Sequence, residues 1–351
     1  MSVVRKIIVL GDVILDRTVF CRIKGLSPEN QNIFDVEEKH GDNALGGAGN
    51  VAANCFGLFG QKDGQSVLPL FLVAADDAGR EITCLLNCLH VEYGLDRYYG
   101  GVTAEKIRYV TSSGQLLRIS REGSGDLSSG YWSSSKSSLS LRLNVEIQEP
   151  VRPVVCLVDY DKGYFRSPLV TEIMVKLIGA QCPIIVDPGR HGHWERYNLA
   201  TVIKANVKQA QAHYESHRDS RADLCPPLDS PEKFDPNEYE CDSFYRSVAH
   251  RLQRLLDDTK VNYEHMVLTL GAGGLAHFTP NGEVQLMREP PCDIIDVTGA
   301  GDTVMAALAV GMAEYGHDAG NMAANCRFAL KAANVAVRRR GTTVVHRKDV
   351  E

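Results

Sequence analysis

Two glycines and two carboxylates crowd the segment Asp296-Val297-Thr298-Gly299-Ala300-Gly301-Asp302-Thr303, just ahead of the apolar run 304–312. Glycines at 299 and 301 let the backbone turn tightly and leave its amides open to a ligand. The pattern predicts a strand over 292–297 that ends at Asp296, a loop, and a helix that starts near Asp302. Free N–H groups at a helix N-terminus, reinforced by the macrodipole, attract an anion. Asp302, beside that anion hole, is placed to take a proton from a hydroxyl that attacks a phosphoryl group. The plainer reading of Asp302 is a helix cap bonded to amides one turn on, and a Gly-Ala-Gly taken alone favours it.

A second glycine loop, Gly46-Gly47-Ala48-Gly49-Asn50, opens another helix pattern over 47–59. Asn50 offers a donor and an acceptor to vicinal hydroxyls. A degenerate dinucleotide fingerprint is the competing reading, but it wants a strand directly before the glycines, and a hairpin-like segment stands there instead. Asp12 lies just beyond the first apolar run and Asp16 one turn later. Two carboxylates so placed suit a polyol, although either could cap a turn.

Such groups need a scaffold that gathers them. Short apolar runs at 6–12, 66–77, 153–161, 182–189, 200–206 and 265–271 each lead into a polar turn. Apolar on both faces, they predict parallel strands covered by helices, an α/β layered fold. Several end in Asp, Asn or Gly, at the carboxyl ends of strands where such folds collect ligands. Helical patterns run over 47–59, 77–92, 169–180, 243–259, 301–315 and 319–338. Segments 17–45 and 95–121 alternate and turn like antiparallel hairpins, and together predict a small β layer over the active face. The polar, proline-bearing stretch 213–240 reads as a surface excursion, and Ser-rich 124–140 as a loop with a polar helix.

With 351 residues, 44% hydrophobic and a formal net charge of −6, the chain suits one large domain over 1–351. The mild acidity and the lack of a basic patch with interleaved aromatics give no reason to invoke nucleic acid. No 18-residue stretch is free of polar breaks, so a membrane span is not expected. The opening "MSVVRKIIVLGD" reads as a buried strand, because a signal peptide would need a longer apolar core. Ten cysteines are scattered without a Cys-x-x-Cys pair, mostly in apolar runs, which fits a reducing cytoplasm. Cys84, Cys88 and His90 lack a fourth metal ligand and sit in an amphipathic helix pattern.

Taken together, "DVTGAGDT", "GGAGN" and "GDVILD" resemble the ribokinase (pfkB-type) family of sugar and nucleoside kinases, in motif order over about 1–125 and 150–345. The resemblance implies a three-layer α/β/α sandwich with a small β-sheet lid, and transfer of the ATP γ-phosphate to a sugar hydroxyl. Asp302 is then the base, and the amides of Gly299, Ala300 and Gly301 are the anion hole. Asp12, Asp16, Gly46, Gly47, Asn50 and Asp159 fall on acceptor positions. Within the family the stretches "LSPENQ" (26–31), "AEKIRYV" (104–110), "QLLRISRE" (115–122), "DYDKG" (159–163) and "VDPGRHGHWERY" (186–197) are similar to the bacterial heptose-7-phosphate kinases. A phosphorylated acceptor makes Lys106, Arg108 and Lys162 candidates for an anionic group. On the nucleotide side, Asn206, Thr269, Gly271 and Gly274 match phosphate-lining positions. Asp296 and Thr298, with carbonyls near Ala336, Arg339 and Gly341, match a monovalent cation site, so ATP, Mg²⁺ and K⁺ are the implied cofactors. The partner implied is a small sugar or sugar phosphate, with an exposed lid face able to pair with a second copy as a homodimer.

Departures matter here. The family carries Asn-x-x-Glu near 206, its glutamate linked to Mg²⁺ and phosphate, but this chain has Gln209. A neutral amide cannot supply the same charge to a hydrated metal, so a glutamate restored at 209 is expected to ease Mg²⁺ recruitment. Gly49 stands where the heptose kinases usually have alanine, and no His-x-Gly-His motif follows the kinase-like region, so the likeness is to the kinase half of the bifunctional heptose enzymes. A catalytically weak sugar- or nucleotide-binding regulator is the alternative that Gln209 supports. A nicotinamide-dependent oxidoreductase is disfavoured, because "VILDRT" follows the first strand where Gly-x-Gly-x-x-Gly belongs.

Overall fold

The run Ile7-Ile8-Val9-Leu10 is apolar on both faces, and all four side chains are fully buried in β1 (Arg5–Gly11). Successive strand residues point to opposite faces. Ile7 and Val9 accordingly enter one core and Ile8 and Leu10 the other. β1 lies between β4 (Gln65–Ala74) and β8 (Val154–Val158), parallel to both. The computed structural model describes residues 5–30, 32–59, 64–123, 138–165, 169–191, 193–216, 261–290 and 292–351.

Outward from β8 come β9 (Ile184–Asp187), β10 (Ala200–Asn206) and β11 (Tyr263–Thr269), all parallel. An antiparallel hairpin, β12 (Leu275–Phe278) and β13 (Val284–Met287), completes that side. On the other side β4 is followed by β5 (Gly94–Tyr98). The nine-stranded order is β13-β12-β11-β10-β9-β8-β1-β4-β5. One core holds α1 (Ala48–Phe59), α2 (Asp77–Cys88), α6 (Ala300–Tyr315) and α7 (Ala319–Ala336). The opposite core takes α3 (Ser138–Glu146), α4 (Leu169–Gly179) and α5 (Val207–Ser216). The short α8 (Arg347–Val350) follows α7. Helices thus cover both faces of a mixed sheet, the α/β/α sandwich the sequence predicts.

A second sheet of four strands has the order β3-β2-β6-β7. β2 (Val13–Leu26) and β3 (Phe34–Gly47) form a long antiparallel hairpin, β6 (Glu105–Thr111) and β7 (Gly114–Arg121) another, and β2 runs parallel to β6. Residues 95–98, expected in this layer, instead belong to β5 at the edge of the main sheet, where α2 returns the chain beside β4. β3 continues to Gly47, so a strand does directly precede α1, and Asp16 lies inside β2 rather than in a turn.

Residues 292–297 are not a strand. The amides of Ile295 and Asp296 both donate to the Val337 carbonyl at the end of α7 (2.8 and 3.1 Å), so they have no ladder partner. β12, β13 and α5 carry too little periodicity in the sequence to have been expected. The helix pattern over 243–259 and most of 124–140 and 213–240 lie outside the described residues. No helix among the described residues is long and apolar enough to cross a membrane.

Candidate active site

α6 starts at Ala300, two residues before the position expected, and Gly299 is its N-cap in the left-handed region at φ 79°. A Cβ at 299 would be strained and would lie 2.7 Å from Asn50 Nδ2. Asp302 therefore stands in the first turn, not at the cap, and its carboxylate looks away from its own helix. Oδ2 accepts a hydrogen bond from Asn50 Nδ2 at 2.8 Å, and Oδ1 accepts one from the Tyr160 hydroxyl at 2.7 Å. Burial pushes the Asp302 pKa up to about 6, against the opposing bonds from Asn50 and Tyr160 and the charge of Lys204. A carboxylate with a pKa near the working pH is suited to general-base catalysis.

Asn50 is itself held. Its Oδ1 accepts from Asn54 Nδ2 at 2.9 Å, and Asn54 Oδ1 accepts the Val345 amide at 2.9 Å. This chain of bonds aims the Asn50 donor at Asp302, so its amide fixes the orientation of that carboxylate. At the mouth of α6 the Ala300 amide reaches back to Val297 O at 3.3 Å, a weak bond. The ammonium of Lys204 lies against the same mouth, since a Cβ on Gly301 would come within 3.1 Å of Nζ.

The acceptor-side residues divide into two groups. Asp12 takes the backbone amides of Tyr160, Lys162 and Tyr164 at 2.9 to 3.0 Å, which fixes the loop after β8, and burial raises its pKa. Asp159 belongs to the same loop: it accepts the Tyr197 hydroxyl, and burial, with the charge of Asp12, pushes it up to about 7. Lys162 pairs with Glu122. Asp16 instead pairs with Arg108 Nη1 at 2.9 Å, and Gly46 leaves it room, because a Cβ there would lie 2.4 Å from Asp16 Oδ2. Gly47, at φ 57°, turns β3 into α1. Lys106 Nζ stands 5.0 Å from the centroid of the Tyr160 ring.

On the other flank, Asn206 and Thr269 are register partners at the carboxyl ends of β10 and β11. Gly271 and Gly274 shape the turn that follows, at φ 61° and 89°. Asp296 accepts the amides of Thr298 (2.9 Å) and Gly341 (2.8 Å); burial opposes these bonds, yet they prevail and lower its pKa. Asp296, Thr298 and Gly341 thus come together. The Ala336 carbonyl accepts the Arg339 amide at 3.0 Å, while the Arg339 guanidinium turns to Val344 O and Asp349.

Residues 186–348, which include the α6 mouth, match the model of the pfkB family of carbohydrate kinases. Over that part the chain is similar to a pfkB-type carbohydrate kinase domain. Members of this family are phosphotransferases with an alcohol group as acceptor. The bifunctional protein HldE of Caulobacter vibrioides is 30% identical over 345 residues, which cover 97% of this chain and 62% of that protein. The chain therefore spans less than two thirds of that relative's length. The D-beta-D-heptose 7-phosphate kinase of Bordetella bronchiseptica is 28% identical, over 97% of this chain and 93% of its own. In fold, the phosphofructokinase-2 of Escherichia coli in complex with potassium superposes with a TM-score of 0.68 at 17% identity, over 99% of this chain and 97% of that one.

Hydrogen bonds show what Gln209 does here. Its Nε2 donates to Asp187 Oδ1 at 2.8 Å and to the Pro188 carbonyl at 2.5 Å. Its Oε1 accepts the Asn206 amide (2.8 Å), and its own amide donates to Asn206 Oδ1 (2.9 Å). Asp187 Oδ2 takes Lys204 Nζ at 2.5 Å, and all three side chains are buried. A glutamate at 209 would lose both Nε2 bonds and oppose the Asp187 charge. This geometry works against the gain expected for that substitution. Three members of the site were not read from the sequence: Tyr160, Asn54 and Lys204. Lys204 did leave a signal, a lysine in the buried strand "ATVIKAN", which requires a partner.

Proposed function

We propose that the protein transfers the γ-phosphate of ATP to a hydroxyl of a sugar phosphate, with heptose 7-phosphate as the leading acceptor. The observation that carries this reading is Asp302, buried at the mouth of α6 between Asn50 and Tyr160 with Lys204 alongside. The acceptor hydroxyl gives its proton to Asp302, its oxygen attacks the γ-phosphorus in line, and ADP leaves. Charge on the transferring group is met by the amides of Gly299, Ala300 and Gly301 and by Lys204. Asp12, Asp16, Gly46, Gly47, Asn50 and Asp159 frame the acceptor, and Lys106, Arg108 and Lys162 lie on the side where a phosphate on that acceptor would dock.

Asn206, Thr269, Gly271 and Gly274 line the nucleotide. Mg²⁺ bound with ATP would neutralise phosphate charge, and Asn206 is the protein group nearest that role, since Asp187 is engaged by Lys204 and Gln209. An all-oxygen donor set of Asp296, Thr298 and the carbonyls of Ala336, Arg339 and Gly341 suits a hard monovalent ion such as K⁺. The second sheet serves as the lid. Its exposed Leu26, Phe34 and Leu117 suit a second copy of the chain, in a cytoplasmic homodimer. Light scattering that shows a monomer at all concentrations removes the dimer.

A coupled assay with ATP and Mg²⁺ tests the activity across heptose 7-phosphate, fructose 6-phosphate, the free sugars and adenosine. Turnover is expected with a phosphorylated sugar. ATP binding without turnover on any acceptor would favour the weak regulatory reading that Gln209 supports.

A further inference from the structure

Tyr160 is held at three points, and each belongs to a different part of the site. Its backbone amide donates to Asp12 Oδ2 at 2.9 Å, its ring lies 5.0 Å beneath the Lys106 ammonium, and its hydroxyl donates to Asp302 Oδ1 at 2.7 Å. The loop that carries it is pinned again by the Asp12 bonds to Lys162 and Tyr164. An ordinary buried tyrosine needs one acceptor for its hydroxyl, and any carbonyl would serve. This one spends its hydroxyl on the buried carboxylate at the helix mouth, opposite Asn50.

We infer that Tyr160 is the positioning residue of the base: its hydroxyl holds Asp302 Oδ1 toward the cleft and keeps the carboxylate ionised, while its ring ties that geometry to Lys106 in the second sheet. The proposal rests on Asp302 acting as the base. Tyr160 moves no proton, because burial and the neighbouring Asp302 charge raise its own pKa far above neutrality, so it stays a donor. The groups that face Asp302 come from several elements: Asn50 on α1, Tyr160 after β8, Asp187 on β9, Lys204 on β10 and Lys106 on β6. Asp16 on β2 also acts on Tyr160. Lys204 and Lys106 favour the ionised form and Asp187 opposes it, so removal of the Tyr160 donor tips the balance toward the protonated acid.

Tyr160→Phe keeps the ring, its amide and the cation contact, and deletes only the hydroxyl. The Asp302 titration is read in protein labelled with ¹³C at the aspartate side chains, its resonance assigned by its loss in Asp302→Asn. Tyr160→Phe is expected to move that midpoint upward by about one unit from its wild-type value near 6. The second readout is kcat/KM against pH with ATP, Mg²⁺ and heptose 7-phosphate. A base works only when ionised, so the rate falls as pH drops through its pKa. The variant is expected to lose about fivefold more of its rate at pH 6 than at pH 8.5. An unmoved midpoint, or an equal loss at every pH, overturns the inference and leaves Tyr160 a structural residue. If wild type turns over no sugar, the proposed activity fails, yet the NMR midpoint still decides whether Tyr160 governs Asp302.

Discussion

Asp302→Asn is expected to lower kcat by about 10²–10⁴ while ATP affinity stays within about threefold of wild type. The substitution conserves shape and burial, and it leaves the α6 amides and Lys204 in place to hold phosphate. What disappears is the carboxylate oxygen proposed to accept the hydroxyl proton. The amide must also settle between two donors, Asn50 Nδ2 and the Tyr160 hydroxyl, with only one acceptor oxygen of its own. That mismatch disturbs the site further and makes the larger loss the better expectation. Single-turnover kinetics beside nucleotide-binding titrations would separate the two quantities. A kcat within threefold of wild type would falsify the base assignment.

Lys204→Met should be the most destabilising single change in the site, by about 3–5 kcal/mol. Lys204 and Asp187 are 2% and 3% exposed, so the aspartate left behind has no water to turn to. Gln209 Nε2 still donates to it, but one neutral donor does not offset a lost ammonium. Urea denaturation would read the loss, and Lys204→Met with Asp187→Asn should recover much of it, because the pair then leaves no stranded charge. The rate of the double variant stays low if Lys204 supports the anion at the α6 mouth, by about 10²-fold if it counts as one oxyanion donor. A single variant within 1 kcal/mol of wild type would show that Asp187 is solvated through another route.

The main sheet and α1, α6 and α7 were legible because apolar runs and helical spacing are local signals, and Asp302 because its glycine-framed loop is unusual in composition. The partners of Asp302 were not. Asn50 was legible as a candidate partner for hydroxyls, but its bond to Asp302, 252 residues on, and the Val345 amide that holds Asn54 behind it were not. Asp12 was legible as a carboxylate past the first strand, but its three amide partners, about 150 residues later, were not. The error over 292–297 has the same origin: an apolar run says "buried strand" only if a strand partner is available, and here the carbonyl of Val337 takes the amides. Gln209 was read as a missing charge, whereas its double donation to Asp187 and Pro188 depends on where β9 ends.

The Asn50–Asp302 bond joins residues 252 positions apart, and β1 is flanked by strands that follow it by about 60 and 150 residues. Such pairings close long loops before any contact repays the lost chain entropy, and parallel sheets built this way fold slowly. Asp302 therefore gains its hydrogen-bond partners only when α6 docks on α1. A ribosome-bound chain that has not yet released α6 has an incomplete site, whatever else has formed. Asp302 thus acquires Asn50 and Tyr160 together, when α6 docks, and not by degrees during synthesis.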